Sequence, residues 1–204
     1  VIVGANGIPL YTTGKTVFVG NSEPDWLGGI RNTFRYKQLS LSVLVDIRHG
    51  GFISSFANSV LAADGSTKET EAGRDGKLVF GKDFYTQEKA VKKDGAVNDI
   101  PINVQDFWIG SGGRTAGLVG EIHTSEASNI RLREAQLSYN LPKGIFGYPV
   151  SLSLVGRNLF FISNKAKYLD PEIFVGADNS TQSDASFTLP TTRSIGVNVR
   201  VNFK

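Results

Sequence analysis

Apolar and polar residues alternate with period two in five stretches of the chain, the signature of strands with one apolar and one polar face. In residues 39–48, Leu39, Leu41, Val43, Val45 and Ile47 share one face. Ser40, Ser42, Leu44, Asp46 and Arg48 share the other. Just upstream, Ile30, Phe34 and Tyr36 lie on one side, interrupted by Asn32, and Arg31, Thr33, Arg35 and Lys37 oppose them. A tight turn around 36–39 joins these two runs into a hairpin. Further along, Ala135, Leu137, Tyr139 and Leu141 alternate with Glu134, Gln136, Ser138 and Asn140. In the preceding Ile130-Arg131-Leu132-Arg133 the apolar parity flips, which predicts a β-bulge near Arg133. Val150, Leu152 and Leu154 alternate with Ser151 and Ser153 and lead into Gly156-Arg157-Asn158-Leu159-Phe160. The last run sets Ile195, Val197, Val199, Val201 and Phe203 against Ser194, Gly196, Asn198, Arg200 and Asn202. Residues 15–20 extend the set to six if they too form a strand.

The connections alternate in length. Those around 36–39 and 142–148 are short. Those across 50–128 and 163–191 are long and rich in Gly, Asn, Asp, Ser and Lys, as solvated loops require. Within the first long connection the apolar residues fall at 52, 53, 56, 57, 60 and 61, a helical stripe closed by Asp64-Gly65. One short amphipathic helix is expected over 52–63.

Alternation alone also fits a water-soluble β-sandwich, for example a carbohydrate-binding module. Three features favour a transmembrane barrel. The apolar faces carry no charge over full strand length. The polar faces are Ser, Asn, Gln and Gly with occasional Arg, as suits a wet lumen. Short turns alternate with long loops. Lipid offers backbone groups no hydrogen bonds, so a spanning sheet must close on itself. Single-chain barrels close with about eight strands or more. Five or six strands therefore predict a piece of a larger barrel, with edges that need partners.

Composition narrows the classes further. Of 204 residues, 40% are hydrophobic and 20% charged, with 23 Gly, and the net charge is only +3. That argues for a turn-rich β protein and against disorder. The basic residues are scattered, so no nucleic-acid stripe is expected. Cysteine is absent, which excludes disulfides, thiolate metal sites and cysteine nucleophiles. No apolar run approaches the roughly 18 residues of a membrane-spanning helix, which leaves strand crossing open.

Several segments resemble the SusC/RagA family of TonB-linked outer-membrane transporters. They are the run from Gly20-Asn21-Ser22-Glu23-Pro24-Asp25-Trp26 through Lys37, the strand 39–51 ending in Arg48-His49-Gly50-Gly51, and Asn129-Ile130-Arg131-Leu132-Arg133-Glu134 through Pro142. Gly156-Arg157-Asn158-Leu159-Phe160 is similar to the penultimate strand. Tyr168, Asp170-Pro171-Glu172 and Pro190-Thr191-Thr192-Arg193 are similar to the last loop and the start of the final strand. Val201-Asn202-Phe203-Lys204 resembles the aromatic-terminated strand read by the barrel assembly machinery, with Lys204 added after the aromatic. The resemblance covers nearly the whole chain in the right order.

It implies an all-β fold in which residues 1–204 are the C-terminal strands of a large antiparallel barrel, with one short helix in a long extracellular loop. The plug domain and earlier strands would lie in the N-terminal remainder. It further implies a bacterial outer-membrane location and active import of glycans or oligopeptides. The implied partners are a SusD-like surface lipoprotein, the TonB complex acting through that remainder, and membrane lipid. A passive porin-like channel is the other membrane reading.

Enzyme chemistry finds little support. No Ser/His/Asp set has the spacing of a nucleophilic triad. Gly110-Ser111-Gly112-Gly113-Arg114 lacks the Lys-Ser/Thr of a phosphate loop. His49 and His123 have no metal-pair spacing. The oxygen sets Asp94/Asn98/Asp99 and Asp64/Glu69/Asp75 do not fit a Ca²⁺ loop and read better as solvated turns. Asn179-Ser180-Thr181 fits a glycosylation acceptor pattern, relevant only in a pathway that glycosylates. Aromatic residues in the long loops, Phe107-Trp108, Tyr168 and Phe174, serve either as stacking platforms or as loop anchors. The substrate- or partner-facing candidates are accordingly Trp108, Tyr168, Asp170 and Glu172. No catalytic, cofactor or metal residue is expected. The arginines on the polar faces are expected to pair along the lumen wall or against the plug.

Overall fold

A computed structural model describes the chain apart from residues 12–16, 75, 87, 111–119, 143, 146, 167, 174–188 and 204. In chain order the elements are β1 (Trp26–Tyr36), β2 (Leu39–His49), β3 (Phe52–Ser54), α1 (Phe56–Ala63), β4 (Lys77–Val79), β5 (Pro101–Asn103), α2 (Val104–Gly110), β6 (Thr124–Glu126), β7 (Asn129–Asn140), β8 (Val150–Asn164) and β9 (Ser194–Val201). They form two compact units. One contains Val1–Gly20 and Ser54–Thr124; the other contains Asn21–Ile53, Ser125–Phe174 and Thr188–Lys204.

The second unit is a five-stranded antiparallel meander in the order β1-β2-β7-β8-β9. These are the five strands expected from the alternation. The sheet is open, with β1 and β9 at its edges. Residues 17–20, the described part of the possible sixth strand, are not extended into a ladder, and 12–16 lie outside the described residues.

Register turns the sequence pattern into two faces. Opposed residues run Phe34↔Leu41↔Leu137↔Leu154↔Val197 on one side and Thr33↔Ser42↔Gln136↔Val155↔Gly196 on the other. The apolar face is open rather than packed: Phe34 is 62% exposed, Leu154 51% and Val197 75%. In water such a face would associate or collapse. Aromatic residues mark both ends. Trp26 stacks on His49 at one. Tyr36, Tyr139 and the edge-on pair Tyr148–Phe203 stand at the other. Trp26 to Tyr36 is about 33 Å along a strand. Tilted as in a membrane barrel, that becomes about 25 Å of height, the thickness of the apolar band of such barrels.

The predicted bulge is real. Arg133 is the extra residue on β7 between the pairs Leu44↔Glu134 and Val45↔Leu132. Against β8 the ladder slips again between Leu132 and Glu134, where Asn158 takes the left-handed φ of 50°. Asn tolerates that region better than most residues, through its short polar side chain. The flip lets Arg131, Arg133 and Glu134 all reach the polar side. Chain exit from β2 uses Gly50 and Gly51, both near φ +80°. A Cβ on Gly50 would sit 2.3 Å from a carboxylate oxygen of Asp25, so only glycine fits. β3 pairs with β6 where the chain leaves the sheet and returns.

The other unit corrects the expectation of a long solvated loop bearing one helix. It holds its own core of Val3, Ala62, Phe80, Phe84, Ile102, Val104, Phe107 and Trp108, with Leu78 and Tyr85 packed against it. Phe80, Phe84, Tyr85, Phe107 and Trp108 form a chain of ring contacts with centroids 5.0 to 6.4 Å apart. The helix begins later than 52, because Phe52–Ser54 is taken into the β3 ladder. Ser55 then caps it in an extended conformation, accepting from the Asn58 N–H. The second helix, α2, was not signalled by periodicity; it is only 7 residues long.

Candidate functional site: the charged polar face of the sheet

The bulge assembles a buried ionic cluster on the upper polar face, where β7 begins. The Arg131 side chain is only 4% exposed. Its Nη1 donates to Glu172 Oε2 at 2.7 Å and to Asp170 Oδ2 at 3.4 Å, and its Nη2 donates to Thr191 Oγ1 at 2.5 Å. Its guanidinium lies over the Phe161 ring, 4.5 Å from the centroid. Arg133 reaches the same carboxylate: Nη2 donates to Glu172 Oε1 at 2.5 Å and Nη1 to Oε2 at 2.9 Å. Its Nε donates to Asp46 at 2.6 Å and its Nη1 to the Asn158 side-chain oxygen at 2.8 Å. A two-pronged guanidinium–carboxylate contact of this kind fixes direction as well as distance.

Asp170 completes a clasp on the connection after β8. Its Oδ1 accepts the Glu172 backbone N–H, and its Oδ2 accepts both the backbone N–H and the hydroxyl of Thr191. The connection leaves past Asp170 and Glu172 and returns past Thr191, so both stems are held on Arg131. Asn158 Nδ2 also donates to the Thr192 carbonyl. Burying such charges is costly unless each is paired, and here each carboxylate has a guanidinium.

One row lower, Arg31 of β1 reaches across Leu44 to Glu134 at 3.2 Å, and Arg157 of β8 meets the same Glu134 at 3.4 Å. Below that row the face is a hydroxyl and amide lattice. Ser138 and Ser153 are 2.9 Å apart, the Thr33 hydroxyl donates to Ser42, and that of Ser151 to Asn140. Outside the five-stranded sheet, Lys165 bonds Glu126 at 2.9 Å. That bond, with a hydroxyl contact from Ser128, holds the Glu126 carboxyl below its ordinary range.

The four sequence candidates have different fates. Asp170 and Glu172 are the acids of the clasp. Tyr168 stands beside them, 55% exposed, with a left-handed φ of 57°. Trp108 belongs to the other unit and is 5% exposed. One wall of its ring borders a cleft of about 300 Å³ lined also by Ala62, Gly65, Thr70, Arg74 and Gln105. Its Nε1 is buried and donates to no described residue. Arg131 and Arg133, the cations of the clasp, were not among the candidates.

The first calcium-like set is a turn: Asp94 accepts from Ala96 N–H, Asp99 pairs with Lys92 at 2.7 Å, and the Asn98 amide donates to the Phe80 carbonyl. His49 packs on Trp26 and sits 3.4 Å from Asp25. Among the described residues, no three His, Asp or Glu groups converge as a metal site would need. Residues 111–114, Asp75, Phe174 and 179–181 lie outside the described residues.

No family model matches the chain. A curated relative, the TonB-dependent receptor P26 of Formosa agariphila, is 27% identical over 95% of this chain and 19% of its own length. Among solved structures, the RagAB peptide importer in its open-open state superposes with a TM-score of 0.52 and 17% identity. It covers 95% of this chain and 19% of that one. The chain is thus similar in sequence to a TonB-dependent receptor. Its fold matches that of a part of the RagAB importer. The chain spans about a fifth of the length of these relatives.

Proposed function

We propose that the chain is the C-terminal wall of an outer-membrane barrel that imports nutrients with energy from TonB. The observation that carries this is the sheet's exposed apolar face, framed by aromatic residues, opposite a charged and hydroxyl-lined face. A soluble sandwich would cover such a face with a second sheet. Similarity to a TonB-dependent receptor and to a peptide importer supports the transport class.

In this reading β1 and β9 pair with strands of the remaining polypeptide, and a plug supplied by that polypeptide fills the lumen. Both long connections leave the same ends of their strands, where β2 and β8 finish and β7 and β9 begin. We place that end outside the cell, facing a SusD-like lipoprotein. Exposed Tyr168, beside the clasp, is the loop aromatic best placed to meet cargo or partner. The cargo is a glycan or an oligopeptide, and the chain has no catalytic role.

Uptake by cells carrying the full-length protein tests this. Fluorescent oligopeptides and oligosaccharides should be accumulated only with the intact gene and a functional TonB system, and affinity capture should retrieve a surface lipoprotein. Equal uptake in the deletion strain, or recovery of the protein in the soluble fraction, would contradict it.

A further inference from the structure

The cleft beside Trp108 holds two opposite charges that do not neutralise each other. Asp64 and Arg74 both line it, and among the described residues no ion pair joins them. Asp64 caps the C-terminal end of α1 and is exposed, and no described residue donates to its carboxylate. Arg74 is fixed from behind. Its Nε donates to the Thr70 carbonyl, and its Nη2 donates to the Gly65 carbonyl and the Thr70 hydroxyl. Those bonds hold the guanidinium beside Gly65 and leave Nη1 without an acceptor among the described residues. A guanidinium already ordered by its own fold loses little freedom when an anion arrives. Between the two charges the cleft is lined by apolar groups, the buried residues Ala62, Val104 and Trp108.

What fits follows from size and charge. A volume of about 300 Å³ is the space of roughly ten water molecules at ~30 Å³ each, so the occupant has about as many non-hydrogen atoms. A molecule of that size with a carboxylate at one end, an ammonium at the other and a short apolar group between satisfies every wall. A sugar satisfies fewer of them. Stacking a sugar needs an open aromatic face, and Trp108 is packed among Tyr85 and Phe107 with only 5% of its surface exposed. We infer that the cleft binds a free α-amino acid with an aliphatic side chain. Its carboxylate meets Arg74 Nη1, its ammonium meets Asp64, and its side chain lies toward Ala62, Val104 and Trp108. All these residues belong to the unit containing Ser54–Thr124, so the inference stands apart from the transporter reading.

Hydrogen exchange of the full-length protein in detergent, titrated with L-leucine, provides the test. Peptides covering 62–74 and 104–108 should gain protection saturably, while those covering the five strands should not change. Two capped probes separate the charges: N-acetyl-leucine lacks the ammonium and leucinamide lacks the carboxylate. Asp64→Asn and Arg74→Gln should each weaken leucine by about tenfold, the worth of one charge-assisted hydrogen bond. Asp64→Asn should leave N-acetyl-leucine unaffected, and Arg74→Gln should leave leucinamide unaffected. Asp64 is exposed and its side chain holds nothing, so Asn at that position keeps the fold and the test stays readable. If leucine gives no protection at 62–74 and 104–108, or binds both variants as it binds the unsubstituted protein, the inference fails. Protection by maltose in place of leucine would make this a sugar cleft and overturn it as well. Neither failure touches the transporter reading, which rests on the five-stranded sheet.

Discussion

The two units solve the same problem in opposite ways. The unit holding Phe107 buries its apolar residues: Val3, Phe80 and Val104 sit where water is excluded, and Phe107 is 0% exposed. The sheet unit leaves its apolar residues outside, with Val197 at 75% and Ile195 at 70%. Its buried groups include charged and polar ones, such as Arg131 and Ser153. An apolar residue goes wherever water is not. For the first unit that place is its own interior, and for the second, in the function proposed above, it is the bilayer. The same alphabet therefore folds inside-in for one solvent and inside-out for the other.

That contrast can be broken at its strongest points first. Phe107→Ala removes the ring that touches Phe80, Phe84, Tyr85 and Trp108, and should cost about 3–5 kcal/mol. Hydrogen exchange should quicken across 54–124 while the five strands keep their protection. Loss of protection in both would show that the units do not have separate cores.

On the sheet the equivalent injury is to charge. Arg131→Leu strands Asp170 beside an apolar residue and should cost about 3–5 kcal/mol, as removal of one partner from a buried ion pair does. Proteolysis of the connection after β8 in intact membranes should accelerate, since its stems lose their shared anchor. Unchanged cleavage would mean that the clasp holds nothing.

Face asymmetry is tested by placing one charge on each side of β9. Val199→Arg points to lipid and should cost about 2–4 kcal/mol near the bilayer midplane. Asn198→Arg points inward beside Ser153 and should cost a small fraction of that. Equal folded yields in urea titrations of the two variants would remove the distinction between faces.

The smallest effect is a titration. Burial among rings, helped by Glu69 and Glu88, pushes the Tyr85 phenol up to about 12. A phenol raised on folding contributes its stability fully below its unfolded pKa, near 10, and loses it as pH climbs toward 12. The tyrosinate absorbance of wild type minus Tyr85→Phe should therefore rise near pH 12. A rise near pH 10 would place Tyr85 in water.

How legible each region was in the sequence follows from the range of its contacts. The strands were readable because period-two alternation is local, and the parity flip at Arg133 gave the bulge without any partner in view. The clasp was not readable as a unit. Arg131 meets Glu172 across 41 residues and Asp170 across 39, so nothing in either segment names the other. What could have pointed to it is the pair of arginines flanking a flip in parity, since two consecutive turns of one face toward the lumen concentrate charge there. The aromatic core of the other unit was hidden for the same reason: Phe80 and Phe107 read as isolated loop residues until the chain brings their centroids to 5.4 Å.

The central claim is that one face of the sheet lies in lipid and the other does not. The most direct measurement uses the absence of native cysteine in this segment. In the full-length protein in its membrane, a fluorophore is attached at a single cysteine introduced as Val197→Cys or as Asn198→Cys, adjacent residues on opposite faces of β9. A nitroxide-bearing lipid is then titrated in. The account predicts strong quenching at 197 and little at 198. Equal quenching at the two positions would contradict it.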